Sequence, residues 1–449
     1  MATSLSIHVF LLTIVLLYVS CFSLPPQEQR HFTIRIAKDP KTNLFYTQVG
    51  IGTPRHNMNL VIDLGGPILW YDCNTHYNSS SYHPVSCNSK LCPEALSCNS
   101  CDGPFRPICS NNTCSANILN PLAKGIFTGN TGEDVLAVAG TTVSGLLTGC
   151  TDIEGFTREY KVMQDYQDYP ELPPPPRPNL MQGLPPSAKG IVGLARTQLS
   201  LPTQISSLFK LSRKFSLCLT SSNKHGLGNL YIGATPRTTA KKLDVSMIMQ
   251  STDLIINPVS TAPIYRDGDA SYEYFISVKS IKIGGKVLNL NTSLLSIDKQ
   301  GNGGTKLSTM DAFTKLHSAI YKPLVREFVK QASNKKMKKV ESVKPFEACY
   351  DFKSLGRTKT GFDVPTIDLV LGNGVQWRIY GGNSMVLVKK TVACLGVVDG
   401  GDPEFAMTSV VIGAHQLEEN LLEFDLISNK LGFSNSLPLH NSLCSQLRI

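Results

Sequence analysis

LVIDLGGPILW, residues 60–70, sets an apolar run against one carboxylate and two glycines. Leu60–Ile62 reads as a buried strand, and Asp63 ends it where the chain must turn. The pattern returns in GGTKLSTMDAF, residues 303–313, where Ser308 stands at the end of the apolar approach and no acid does. Each stretch is answered later by an apolar-apolar-glycine segment. The first answer is KGIVGLARTQLSLPTQI (189–205), and the second is SVVIGAHQLEENLLEFD (409–425). Asp63 precedes Gly193 in the same order that Ser308 precedes Gly413. The chain therefore repeats itself at low identity, and two lobes on one plan are expected.

A length of 449 residues exceeds one ordinary hydrophobic core and agrees with two lobes. With 42% apolar and 17% charged residues, the composition excludes general disorder. Short Val, Ile, Leu and Tyr runs between Gly, Pro, Asn and Ser clusters make the fold class mostly β. Residues 1–23 read as a signal peptide: the apolar run Val9–Val19 is too short to span a bilayer. No later stretch is apolar enough for a membrane span. The expected division is an N-terminal β lobe over 24–235, with a Cys-rich insertion at 73–114, and a C-terminal β lobe over 236–449.

These motifs resemble the pepsin-like aspartic peptidases, over nearly all of residues 32–444. TQVGIGTPRHNMNLVIDLGGPILWYDC (47–73) resembles that family's N-lobe opening, and GTKLSTMDAFTKLHSAIYKPLVREF its C-lobe loop and following helices. VIDLGGPILWYDC, SSSYHPVSCNSKLC, GNTGEDVLAV, NSMV, CLGVVDGG and GAHQLEENLLEFDL are similar to one plant branch. That branch holds the cereal xylanase inhibitors, the extracellular dermal glycoproteins and the basic globulins of legume seeds. The resemblance implies a bilobal pepsin-like fold with two pseudo-twofold-related β lobes and short helices.

An aspartic peptidase needs two carboxyls sharing one proton, so that one acts as base and the other as acid. Asp63 is present, but Leu64 takes the place of the family's Thr and Gly66 that of its Ser. Ser308 matches the second carboxylate, and a neutral hydroxyl cannot share a proton with Asp63. Met310 replaces the glycine of the C-lobe loop. Asp311 is read as the N-cap of a helix carrying Phe313, Leu316, Ile320 and Leu324, which Pro323 would split. The region matching the flap, 123–138, offers Phe127 and no Tyr. Asp63 and Ser308 are thus expected to be vestigial, with no catalytic residue, no cofactor and no metal. Asp63 is then expected to serve its own loop, accepting backbone hydrogen bonds from the glycines beside it.

Of 13 cysteines, Cys21 lies in the signal, leaving 12 for six disulfides in an oxidising compartment. They are Cys73, Cys87, Cys92, Cys98, Cys101, Cys109, Cys114 and Cys150, then Cys218, Cys349, Cys394 and Cys444. The resemblance implies a Cys349–Cys394 bridge, with Cys218–Cys444 tying back the chain end. Sequons at Asn78, Asn111 and Asn291 suit glycosylation of an exported chain. The proline-rich stretch 168–186 reads as an exposed loop, and IYGGNSM (379–385) as a hairpin turn.

The formal charge of +9 favours acidic surfaces as partners, but no motif points to nucleic acid. The resemblance implies inhibition of secreted microbial glycoside hydrolases, xylanases or xyloglucan endoglucanases, by a chain secreted to the apoplast or cell wall. A cation entering a glycosidase cleft would meet paired carboxylates, which makes Lys335, Lys336, Lys338, Lys339, Arg357 and Lys359 candidate contacts. The rival readings are an active aspartic endopeptidase, a binder of a secreted peptide, and a storage globulin.

Overall fold

The computed structural model describes residues 31–449 apart from 75, 93–96, 102, 124–126, 154–178, 240–242, 263–266 and 402–406. The signal segment 1–23 and most of the proline-rich stretch lie outside these residues. Phe32–Ile449 forms one unit with strands throughout.

A six-stranded antiparallel sheet runs through the middle of that unit. Its order is Phe32–Lys38, Gly228–Ile232, Lys214–Cys218, Leu421–Asp425, Lys430–Ser434, Met249–Ile255. Three strands come from each half of the sequence, and the halves meet where Phe215 pairs with Phe424. Their rings stack 4.7 Å apart, with Tyr274 packed against both. The first strand, FTIRIAK, shows why the sheet forms: Phe32, Ile34 and Ile36 alternate inward and are buried.

Above this sheet the repeat in the sequence becomes a repeat in space. His56–Asp63 runs parallel to Ala188–Gly193, which lies antiparallel to Trp70–Asp72, itself parallel to Thr141–Thr151. In the second half, Thr305–Leu307 runs parallel to Val410–Ile412, which lies antiparallel to Thr314–Leu316, itself parallel to Val397–Asp399. This bilobal topology is the pepsin-like one. Two glycines make the crossings possible. A Cβ on Gly193 would lie 2.3 Å from the Gly66 carbonyl oxygen, and one on Gly413 would lie 2.3 Å from the Phe313 carbonyl carbon.

Six disulfides join Cys73–Cys150, Cys87–Cys98, Cys92–Cys114, Cys101–Cys109, Cys218–Cys444 and Cys349–Cys394. Three of them lie inside the Cys-rich stretch, which is seated on the N-lobe by buried Tyr77, Tyr82 and Val85.

Three local expectations need correction. The helix after the C-lobe loop does not start at Asp311. It spans Ser318–Asn334, and His317 caps it through Nδ1, which accepts the Ala319 N–H. Thr314–Leu316 is strand instead, because Gln416 holds Thr314 through its N–H and hydroxyl while the 410–412 and 397–399 strands pair on either side. Pro323 does not split the helix. It removes one backbone donor, and Ile320, Tyr321, Leu324, Phe328 and Ala332 hold the helix by burial. Finally, Gly381–Ser384 is one helical turn linking strands of two different sheets, Gln376–Ile379 and Met385–Lys389, and not a hairpin.

Candidate functional site

The two repeat loops meet where Thr309 reaches the backbone of Ile62 and Leu64, and Asp63 and Ser308 stand next to that contact in sequence. Asp63 pairs in register with Gly193, and its carbonyl accepts the Leu194 N–H at 2.8 Å. Ser308 sits one residue beyond Leu307, which pairs with Ile412, and its N–H donates to the Ile412 carbonyl at 2.9 Å. The two residues thus occupy corresponding places in the two lobes.

Their surroundings differ. Asp63 Oδ1 accepts the Gly65 N–H at 2.8 Å, while Oδ2 is buried with no hydrogen-bond partner. Gly66 stands beside that oxygen and brings no hydroxyl; a Cβ there would lie 3.2 Å from Oδ2 and 2.8 Å from the Gly193 Cα. Burial therefore pushes the Asp63 carboxyl up from 3.8 to about 7, against the opposing Gly65 hydrogen bond. The negative charge of Glu273 adds to the rise, Lys306 opposes it, and Asp311 adds a little more. Below neutral pH the Asp63 carboxyl carries its proton.

Ser308 Oγ turns back on its own loop, accepting the N–H groups of Met310 at 3.2 Å and Asp311 at 3.1 Å. Its hydroxyl thereby closes the turn of its own loop. Glu273 and Asp311 are both committed to lysines: Lys306 bridges both Glu273 oxygens at 2.9 and 3.0 Å, and Lys315 meets Asp311 at 2.5 Å. The centre can hold one proton on Asp63, and Ser308 gives it no second carboxyl to share that proton.

The grip between the lobes is one-sided. Thr309 Oγ1 donates to the Ile62 carbonyl at 2.7 Å and accepts the Leu64 N–H at 3.0 Å. Leu64, fully buried, has no hydroxyl with which to return those bonds. Next to this grip, Met310 leaves its own lobe. It is buried in an apolar cluster otherwise made of N-lobe residues, among them Val61, Trp70, Ile118, Phe127 and Ile191. Phe127, expected on a flap, is likewise a core residue of that cluster. What stays open is a polar cleft of about 340 Å³ between Pro121–Leu122 and the C-lobe residues Lys306, Asp311, Lys315, His317 and Thr408.

The six cations singled out in the sequence lie elsewhere, at the far end of the helix that starts at His317. All are exposed. Lys335 is paired with Asp363 at 2.7 Å, and the Arg357 guanidinium lies over the rings of Phe352 and Phe362. Asn78, Asn111 and Asn291 are exposed too. Neither the burial of Met310 in the N-lobe cluster nor Thr309 as the interlobe tie was readable in advance, since both depend on partners more than 100 residues away.

Comparison with known proteins agrees with this architecture. Residues 45–163 and 176–234 match the family described as Xylanase inhibitor N-terminal, and residues 273–435 match Xylanase inhibitor C-terminal. A Nicotiana benthamiana protein named "Probable aspartic proteinase GIP2" is 39% identical over 456 residues, covering 99% of this chain and 98% of its own. Basic 7S globulin of Glycine max is 31% identical, covering 92% of this chain and 90% of its own. The solved structure titled "Crystal structure of edgp" has a TM-score of 0.84 at 37% identity, over 94% of this chain and 99% of that one.

Proposed function

The chain belongs to the xylanase inhibitor family, and from that premise we propose that it is a secreted, non-catalytic inhibitor of microbial endoglycanases, either xylanases or xyloglucan endoglucanases. The observation that carries the non-catalytic half is the retired centre. Ser308 takes the place of the second carboxylate and spends its oxygen on the turn, while Met310 fills the space beside it. Peptide hydrolysis needs a base and an acid at once, and Asp63 alone supplies one or the other. The inhibitory half is supported by the family match over both lobes. Six disulfides suit export to an oxidising extracellular space, and they give a stiff body that loses little entropy on binding.

Calorimetric titration of the mature protein against a panel of the two enzyme classes tests the reading. Saturable one-to-one binding to one class is expected, and heats of dilution across the whole panel would sink it. The similarity to basic 7S globulin favours a second reading, a storage protein. Abundant deposition in seed with no binding in the panel would select it.

A further inference from the structure

We propose that the end of the C-terminal lobe remote from the cleft is a polycation face that takes a linear carboxylated polysaccharide, a polyuronate. The helix Ser318–Asn334 starts from His317, which lines the cleft, and ends at Lys335. Its 17 residues put about 25 Å between the two places. The face is therefore a separate surface, and its role does not rest on the inhibitor reading.

The four-stranded sheet beyond the helix gathers cations that the sequence keeps far apart. Lys339 pairs with Tyr350, Asp351 with Val392, and Val392 with Lys389. The Lys338 carbonyl accepts the Asp351 N–H, and the Thr391 carbonyl accepts the Phe352 N–H. These bonds bring Lys338, Lys339, Lys353, Lys389 and Lys390 to one end of one sheet, all exposed. The hairpin Gly356–Thr358/Gly361–Asp363 adds Arg357 and Lys359 alongside. Of the local acids, Asp363 is occupied by Lys335, and Asp351 caps the Lys353 N–H. Among the described residues, the side chains of Lys336, Lys338, Lys339, Lys353, Lys359, Lys389 and Lys390 make no ion pair.

Two features select the polymer. The cations stand side by side along a sheet end. A row of like charges is matched by a chain of regularly spaced anions, with counterion release adding to the gain. Arg357 is the fixed member. Its guanidinium lies 4.6 and 4.2 Å from the ring centroids of Phe352 and Phe362, and these cation–π contacts hold its position while its N–H groups can meet a carboxylate. The disulfides suit an oxidising extracellular space, where carboxylated polysaccharides are available polyanions.

Binding of the mature protein to immobilised polygalacturonate, with dextran as the neutral reference, is measured across a salt series. One variant carries Lys338→Gln, Lys339→Gln, Lys389→Gln and Lys390→Gln. A control loses the same charge through Lys41→Gln, Lys90→Gln, Lys224→Gln and Lys299→Gln, all exposed and elsewhere. The expected result is salt-sensitive binding that weakens about tenfold or more in the first variant and about twofold or less in the control. Equal weakening of the two variants overturns the proposal, since net charge alone would then explain retention. Loss of inhibition in the first variant with polygalacturonate binding intact overturns it too, as does binding to anionic vesicles in place of polygalacturonate.

Discussion

Replacing Asp63 with Asn removes a buried charge without changing shape, and its effect on stability has a calculable pH dependence. The carboxyl titrates near 3.8 in the unfolded chain and near 7 in the folded one. Between those values the folded state holds a proton that the unfolded state has released, so Asp63 costs stability as pH rises. A rise of that size corresponds to about 4 kcal/mol at pH 8, and the cost shrinks to about 0.5 kcal/mol at pH 4. Asn keeps the Gly65 N–H bond through Oδ1, and its amide replaces an oxygen that already lacks a partner. At average unfolding entropy per residue, a unit of this size should melt about 4 to 5 °C higher at pH 8 and within about 1 °C of the parent at pH 4. Thermal melts of both proteins at pH 4, 6 and 8 read this directly. A gain independent of pH, or a loss at pH 8, would refute the account of Asp63 as a buried acid with an orphaned oxygen.

Thr309→Val should cost about 1–3 kcal/mol in denaturant unfolding, because it strands the buried Leu64 N–H and the Ile62 carbonyl together. Met310→Gly should lower stability by about 2–5 kcal/mol through the space left in the N-lobe cluster. It should leave acid-denatured protein uncleaved, since opening the cleft restores no carboxyl; cleavage blocked by a transition-state analogue would contradict this. Glu418→Gln should cost about 3 kcal/mol, because Glu418 is buried, lies 2.6 Å from Lys38 and also faces His415 at 3.2 Å. A melt unchanged by that substitution would show the pair to be idle. Replacing Cys218 and Cys444 together by Ser should cost up to about 5 kcal/mol, given the 226 residues that the bridge spans.

The parts of this fold that the sequence disclosed are those fixed by local necessity. Gly193 and Gly413 mark strand crossings where no Cβ fits, so the repeat shows in the letters. Asp63 follows a short apolar run whose role as a buried strand is plain from composition, while Ser308 follows Thr305–Leu307, whose place is marked only by the repeat. The stretch 311–316 misled for a physical reason. Phe313, Leu316, Ile320 and Leu324 are spaced as on a helix, but Leu316 is equally placed for a strand, and the Gln416 side chain settles the matter from 102 residues away. The interlobe tie through Thr309, the burial of Met310 in the opposite lobe and the assembly of lysines at one sheet end are all long-range. Nothing within a few residues of Lys389 hints at Lys338.

The most direct test of the inhibitor reading is residual hydrolysis by a panel of microbial xylanases and xyloglucan endoglucanases, titrated with the mature protein and with its Asp63→Asn variant. The expected result is a linear loss of one enzyme's activity to zero at equal molarity, on the same line for both proteins. Full activity across both classes at excess protein, or inhibition that vanishes with Asp63→Asn, would contradict it.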